Sequence, residues 1–397
     1  MAAWVRRKPK ADYSPETSTP SPPAMLEIIE LSGTPFAMGR EHGRRLAEAI
    51  HRLAEERLRI AMAFTLAHGA RASRQRCLAL AHEHLPYHEA FSPAAFAEWQ
   101  GIAEGADISL AEVFFANALT DFQDVLWQYT GAGVRAVASG GDNEVHGCTS
   151  FAVDAAATAG SVPYIGQTWD MHASAEDYVA VFRRRPDDAP ASLTVSTAGC
   201  LSLVGVNEAG IAVGNNNLRP TDARPGVIYL AMLHEALRQD SPHRAKAAIT
   251  DAHRASGHNY VGAAATGERW NIETTATRFA LVDIDTPTYA HANHYLAEDL
   301  RPLEEPGLDR ASSQHRLSRL SARLAEHGAP FTPEVLRRVL ADHDGGEELC
   351  ICRHGQPGDR HSARSCAFVV ADPAGAALWV TVGPPCQGSL TRVSLKA

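Results

Sequence analysis

The chain has 397 residues, with 37 Lys+Arg against 46 Asp+Glu for a net charge of −9, and 45% of its residues are hydrophobic. That length and composition bury a substantial core and exclude disulfide-rich miniprotein, collagen-like and wholly disordered classes. The acidic balance offers no general attraction to nucleic acid or anionic lipid, and no run of about 18 apolar residues is available to span a membrane. With no apolar signal segment at the amino terminus, the expected location is cytoplasmic.

Residues 1–24 hold five prolines and the basic cluster Arg6, Arg7, Lys8 and Lys10, and read as a disordered extension. Residues 25–397 read as one α+β domain. An apolar run from Leu26 to Leu31 leads through Gly33 into helices that continue to about residue 130. Ser92-Pro93 is a cap before proline at the first helical position, and Ser109 with Glu112 forms a capping box. Trp127 and Tyr129 read as core aromatics, and Gly140-Gly141-Asp142 as a loop. Near residue 146 the period changes to short strands: 151–153, 164–168, 179–183, 193–196, 201–206 and 211–213. Arg183, Arg184 and Arg185 read as a solvated strand end. A helix capped at Ser241-Pro242 follows, then strands around Tyr260, 270–273, 279–282 and 289–291. Helices cover about 312–342, and strands at 368–371 and 378–382 close the chain. Successive hairpins predict largely antiparallel sheets covered by helices.

Seven cysteines, an odd number with no Cys-x-x-Cys pair, argue against a disulfide framework. Cys350 and Cys352, with His343 and His354 nearby, lack the paired spacing of a structural zinc site, so no metal and no cofactor is expected. The informative segment is Gly147-Cys148-Thr149, where helices hand over to sheet. Glycine leaves its carbonyl open and tolerates unusual backbone angles, so the following thiol can attack it. An N-to-S acyl shift and hydrolysis there would leave Cys148 as a new amino terminus. Its α-amino group, with an unperturbed pKa of about 7.7–8.0, could then act as base for its own thiol.

Collinear segments extend this reading from about residue 26 to about 387. They are Gly39-Arg40-Glu41-His42-Gly43, Gly147-Cys148-Thr149, Gly166-Gln167-Thr168-Trp169-Asp170, Gly210-Ile211-Ala212-Val213 with Asn216-Asn217-Leu218, and Asn293-His294-Tyr295-Leu296. Together they resemble the penicillin acyltransferase family (acyl-coenzyme A:6-aminopenicillanic acid acyltransferase) of N-terminal nucleophile hydrolases. The resemblance implies a four-layer αββα sandwich made as a precursor that cuts itself between Gly147 and Cys148. Carried over, Cys148 is the nucleophile, Asp170 orients its amino group, and Asn216 donates to the oxyanion, with Asn215 and Asn217 leaving the register open by one. Arg316 and Arg319 compete for the family's arginine, and Thr149, Trp169, His172, Asn293 and His294 are supporting candidates. His172 and His294 are expected to line the pocket or to titrate near neutrality. Thr168 stands where the penicillin enzyme has asparagine.

The function expected is an N-terminal cysteine amidohydrolase that cleaves a small-molecule amide through a thioester. Acyl transfer to an amine is the alternative, and a non-catalytic protein of the same fold with an inert Cys148 is the further one. Its partner is its own cleaved amino-terminal piece; a homo-oligomer is compatible with the sequence, and neither nucleic acid nor membrane is expected.

Overall fold

The computed structural model describes residues 26–67, 71–129 and 147–396. The expected extension, the loop at Gly140-Gly141-Asp142, and the side chains of Trp127 and Tyr129 lie outside the described residues. In chain order the elements begin with β1 (Ile28–Gly33), α1 (Pro35–Ala67), α2 (Arg74–Phe91), α3 (Pro93–Ala106), α4 (Leu110–Asn117) and α5 (Leu119–Tyr129). There follow β2 (Thr149–Val153), β3 (Tyr164–His172), β4 (Val179–Pro186), β5 (Ser192–Thr197), β6 (Val204–Asn207), β7 (Ile211–Leu218), α6 (Tyr229–Leu237) and α7 (Pro242–Thr250). The last group is β8 (Gly257–Ala264), β9 (Arg269–Thr274), β10 (Phe279–Asp283), β11 (Thr288–His291), α8 (Ala311–His327), α9 (Pro333–Leu340), α10 (Gly346–Leu349), β12 (Ala363–Asp372), β13 (Ala377–Val382) and β14 (Thr391–Ser394).

Two sheets carry the architecture: eight strands in the order β1-β4-β5-β6-β7-β8-β9-β10, and six in the order β11-β2-β3-β12-β13-β14. Every ladder is antiparallel except β1 with β4. The sheets stack face to face, with β2 and β3 against β7 and β8. Helices α1 and α6 cover the larger sheet, and α8 and α9 cover the smaller, which makes the four layers helix, sheet, sheet, helix. A cross-sheet hydrogen bond helps fix their relative position: the Asn215 N–H donates to Gln167 Oε1 at 2.8 Å. No helix among the described residues is long and apolar enough to cross a membrane.

Local rules explain most boundaries. Ser92, Ser109, Ser241 and Thr332 cap their helices with side-chain oxygens, and Ser109 and Glu112 complete the capping box. The strand expected from Leu201 starts only at Val204, because the Leu201 N–H is taken by the Asn117 side chain at 2.9 Å. Helix α6 reads as a short apolar run, since all but Glu235 of its residues are buried and Ile228 before it supplies no side-chain cap. The arginine run is a solvated end only in part: Arg185 is exposed and Arg183 half-buried, but the middle residue is enclosed. Arg184 is buried, donates to Glu98 at 2.8 Å and Thr194 at 2.7 Å, and His234 lies 3.3 Å from the same carboxylate. That cluster ties α3 to β4, β5 and α6.

Helices α1 and α3 cross backbone to backbone. A Cβ on Gly39 would stand 2.0 Å from the Glu98 carbonyl oxygen, and one on Gly101 would stand 2.2 Å from that of Phe36. Gly43 and Gly105 repeat the contact one turn along, so both helices present glycines at four-residue spacing. Gly101→Val is therefore expected to cost roughly 3 kcal/mol or more in a denaturation experiment, by overpacking at a contact with no room to relax. The same side chain at exposed Gln100 should cost only about 0.5 kcal/mol, and equal losses at the two positions would refute this account of the crossing.

Candidate active site

Strand β2 begins one residue after Cys148 and pairs with β3, Thr149 opposite Thr168 and Ser150 opposite Gln167. Continuing that register backward sets Cys148 beside Trp169 and Gly147 beside Asp170. Strand alternation then divides the chemistry between two faces. Cys148, Ser150, Gln167 and Trp169 face the larger sheet; Thr149 and Asp170 face the helices and loops outside.

On the outer side, a Cβ on Gly147 would lie 3.3 Å from Asp170 Oδ2 and 3.2 Å from Arg353 Nη1, so the carboxylate sits against the Gly147-Cys148 link. The Ser365 hydroxyl donates to Asp170 Oδ1 at 2.7 Å, and Arg353 Nε stands 3.8 Å from Oδ2. Oδ2 has no hydrogen-bond partner among the described residues. Burial pushes the Asp170 carboxyl up to about 6, against the pull of the Arg353 and Arg316 guanidinium groups and the Ser365 hydroxyl.

Arg316, on α8, is fully buried and anchors the strand itself. Its Nη1 donates to the Cys148 carbonyl at 2.7 Å and to Thr149 Oγ1 at 2.9 Å, and its Nη2 donates to Asn293 Oδ1 at 2.9 Å. Asn293 in turn donates from Nδ2 to the Asn217 carbonyl at 2.9 Å, which connects this fork to β7. Arg319, three residues on, instead holds Asp342 at 3.0 and 2.9 Å near the surface. Spacing alone leaves the two arginines equivalent; burial distinguishes them.

On the inner side the Cys148 thiol is buried in the core between the sheets and accepts a hydrogen bond from the Asp170 backbone N–H. Burial, and then the Asp170 charge, push that thiol up to about 12, so in this environment it is a poor nucleophile. Two residues along, the Ser150 hydroxyl donates to Asn216 Oδ1 at 2.6 Å, and Asn259 Nδ2, from the facing position on β8, donates to the same oxygen at 3.0 Å. With its oxygen held twice, the Asn216 amide has a fixed orientation. Its Nδ2 is buried without a hydrogen-bond partner among the described residues. Alternation along β7 turns Asn215 and Asn217 to the other face, so Asn216 alone of the three faces β2.

Other candidates fall elsewhere. Trp169 packs in the same core as Cys148. His172 is buried with its ring edge-on to that of His361, centroids 6.0 Å apart, and its carbonyl accepts from the Cys366 thiol. His294 does not titrate near neutrality: burial, and then the charges of His291 and Arg316, lower it to about 4, and its Nδ1 lies 2.7 Å from Ser313 Oγ. Sequence reasoning does not single out Ser150, Asn259, Arg353 or Ser365. Only Ser150 carried a local signal, the same-face spacing from Cys148; the other three arrive from distant strands and loops.

A family model described as acyl-coenzyme A:6-aminopenicillanic acid acyl-transferase matches residues 157–387. The acyl-coenzyme A:6-aminopenicillanic-acid-acyltransferase 40 kDa form of Emericella nidulans is 26% identical over 367 residues, 90% of this chain and 92% of that protein. Among solved structures, a mutant conjugated bile acid hydrolase from Clostridium perfringens is 11% identical, with a TM-score of 0.44 over 62% of this chain and 92% of its own. Penicillin V acylase from Agrobacterium tumefaciens is 13% identical, with a TM-score of 0.43 over 62% and 86%.

The two arginines give a direct test of the site's construction. Arg316→Ala leaves the Thr149 hydroxyl and the Asn293 carbonyl without a buried donor and is expected to cost about 3 kcal/mol or more in urea unfolding. Arg319→Ala removes a partly exposed pair and should cost about 1 kcal/mol or less. The reverse order would contradict the assignment of Arg316 to the core of the site.

Proposed function

The chain belongs to the acyl-coenzyme A:6-aminopenicillanic acid acyl-transferase family, and on that premise we propose that it is an autoprocessed N-terminal cysteine amidohydrolase. The observation that carries this reading is the Asn216 amide: its oxygen is held by Ser150 and Asn259, and its buried Nδ2 has no partner on the face shared with Cys148. A donor held in place beforehand and left unsatisfied in the resting chain suits an oxygen that becomes negative only during reaction.

Processing begins when Cys148 Sγ attacks the Gly147 carbonyl, with Asp170 beside the link. The Gly147–Cys148 C–N bond breaks, its nitrogen takes the proton and becomes the α-amine, and a Gly147 thioester forms on sulfur. Water hydrolyses the thioester, leaving a carboxylate on Gly147 and a free thiol and amine on Cys148. Asp170 Oδ2, which has no hydrogen-bond partner among the described residues, then receives the new amine and orients it toward the thiol. The neutral amine takes the thiol proton as general base while sulfur attacks, so the buried thiolate need not form free.

A substrate amide is attacked in the same way: sulfur bonds to the acyl carbon, Asn216 Nδ2 holds the oxyanion, the amine departs with a proton, and water releases the acid. The two pieces stay associated, because β1 from the first is paired along its length with β4 of the second. A second reading, transfer of the acyl group to an amine, is supported by the name of the 26% identical Emericella nidulans relative.

The purified enzyme, offered a panel of N-acyl amides with and without an added amine, should carry a transient acyl mass on the fragment that starts at Cys148 and release free acid. Diversion of the acyl group to the added amine would favour transfer over hydrolysis. Asn216→Ala should lower kcat by about 10²- to 10³-fold; unchanged turnover in that variant, or no acyl adduct, would refute the reading. Because the Asp170 carboxyl is raised above its ordinary 3.8, its protonation sets in as pH falls through about 6. Self-cutting should therefore slow about tenfold per pH unit below that point. Ser365→Ala removes a bond to the charged form and should move this acid limb to higher pH, whereas an unmoved limb would exclude Asp170 as the titrating group.

A further inference from the structure

A second cluster stands apart from Cys148. His343, Cys352, His354 and Cys386 bring two imidazole nitrogens and two sulfurs together, all within 4.8 Å of one another. They come from three segments: the chain just past α9, the stretch between α10 and β12, and the turn after β13. Spacing directed attention to Cys350, but its thiol turns back to the Cys352 carbonyl at 3.2 Å. The fourth donor comes from Cys386, 32 residues beyond His354.

The distances converge on one atom. His354 Nε2 lies 3.0 Å from His343 Nε2, 3.3 Å from Cys386 Sγ and 3.9 Å from Cys352 Sγ. One imidazole nitrogen carries a single proton or a single lone pair, so it can satisfy one such neighbour by hydrogen bonding and not three. A cation at the centre satisfies all four donors at once. With metal–nitrogen bonds of about 2.0–2.1 Å and metal–sulfur bonds of about 2.3 Å, the edges of a tetrahedron come to roughly 3.3–3.8 Å, close to the three separations from His354 Nε2. Gln387 Nε2 lies 3.2 Å from His354 Nδ1; with His354 Nε2 on a metal, Nδ1 carries the proton, and the Gln387 amide orients the ring by presenting its oxygen instead.

We propose that His343, Cys352, His354 and Cys386 bind one tetrahedral zinc-class ion with a structural role. Two thiolates and two imidazoles fill the coordination shell and leave no open position for a reacting water, which separates this site from a catalytic metal. Cys352 is buried while His343 and Cys386 are exposed, so an ion enters from solvent. The ion staples the segment whose next residue, Arg353, reaches into the Asp170 cluster and bonds Ser312. In this way the site braces a residue that touches the candidate catalytic carboxylate, and its existence does not depend on the proposed reaction.

The test uses the full chain, purified without a histidine tag and without chelator, with metal measured by inductively coupled plasma mass spectrometry. About one zinc per chain is expected in the wild type, and background levels in Cys386→Ser and His343→Ala. Cys350→Ser should keep its zinc. Cobalt(II) added to chelator-stripped wild type should give the absorption of a tetrahedral thiolate site, absent in Cys386→Ser. Chelator should lower the wild-type Tm and leave that of Cys386→Ser unchanged. A metal-free wild type that gives no tetrahedral cobalt spectrum overturns the proposal even where a variant fails to fold. Zinc retained by a folded Cys386→Ser overturns it as well, and a Cys352–Cys386 disulfide in the protein as purified replaces it with a redox pair.

Discussion

The pairing of β2 with β3 is the constraint on which the site depends. Strand side chains alternate, so one register sets Gly147 beside Asp170 and Cys148 beside Trp169, with the thiol facing the larger sheet. A slip of one residue would exchange those faces. The thiol would then leave the face that carries Asn216, and the Gly147-Cys148 link would leave the carboxylate. Arg316 holds the start of this strand in place, binding the Cys148 carbonyl and the Thr149 hydroxyl at once, while Asn293 carries the same fork across to β7. The Gly147-Cys148 link is thus held from both strands and from a covering helix.

Electrostatics around this strand are set by burial. A carboxylate and two guanidinium groups lie out of water in one cluster, an arrangement that is costly unless each charge keeps partners. Asp170 keeps Ser365 and the field of Arg353, yet its second oxygen remains open where a new amino group would form. On the inner face the same logic applies to a dipole: Asn216 has its oxygen satisfied twice, and its nitrogen has no hydrogen-bond partner among the described residues. Asp170 Oδ2 and Asn216 Nδ2 are thus among the buried polar atoms that lack a hydrogen-bond partner among the described residues. Both lie where the proposed reaction develops charge.

Much of this was legible in the sequence, because it is written in contiguous residues. Capping serines, strand runs and the turn at Gly210 locate the elements, and the Gly-Cys-Thr and Trp-Asp segments locate the two strands that meet. What stayed hidden depends on distance or on burial. Arg316 and Arg319 share a helical pattern and differ only in which one the fold encloses. Arg353, Ser365 and Asn259 reach the site from elements far along the chain, where nothing adjacent marks them. Arg184, in a run that looks solvated, is buried because Glu98 of α3 meets it. Cys386 replaces Cys350 among the clustered donors for the same reason: proximity in sequence is a poor guide where three loops converge.

The central claim is that Cys148 becomes an amino terminus by cutting its own chain. Intact mass under denaturing conditions, for the wild type beside Cys148→Ala and with the amino-terminal sequence of any smaller product, tests it most directly. The account predicts that the wild type separates into residues 1–147 and 148–397, the second beginning Cys148-Thr149-Ser150, and that the variant stays whole. A wild-type chain that remains a single piece after prolonged incubation at neutral pH would contradict it.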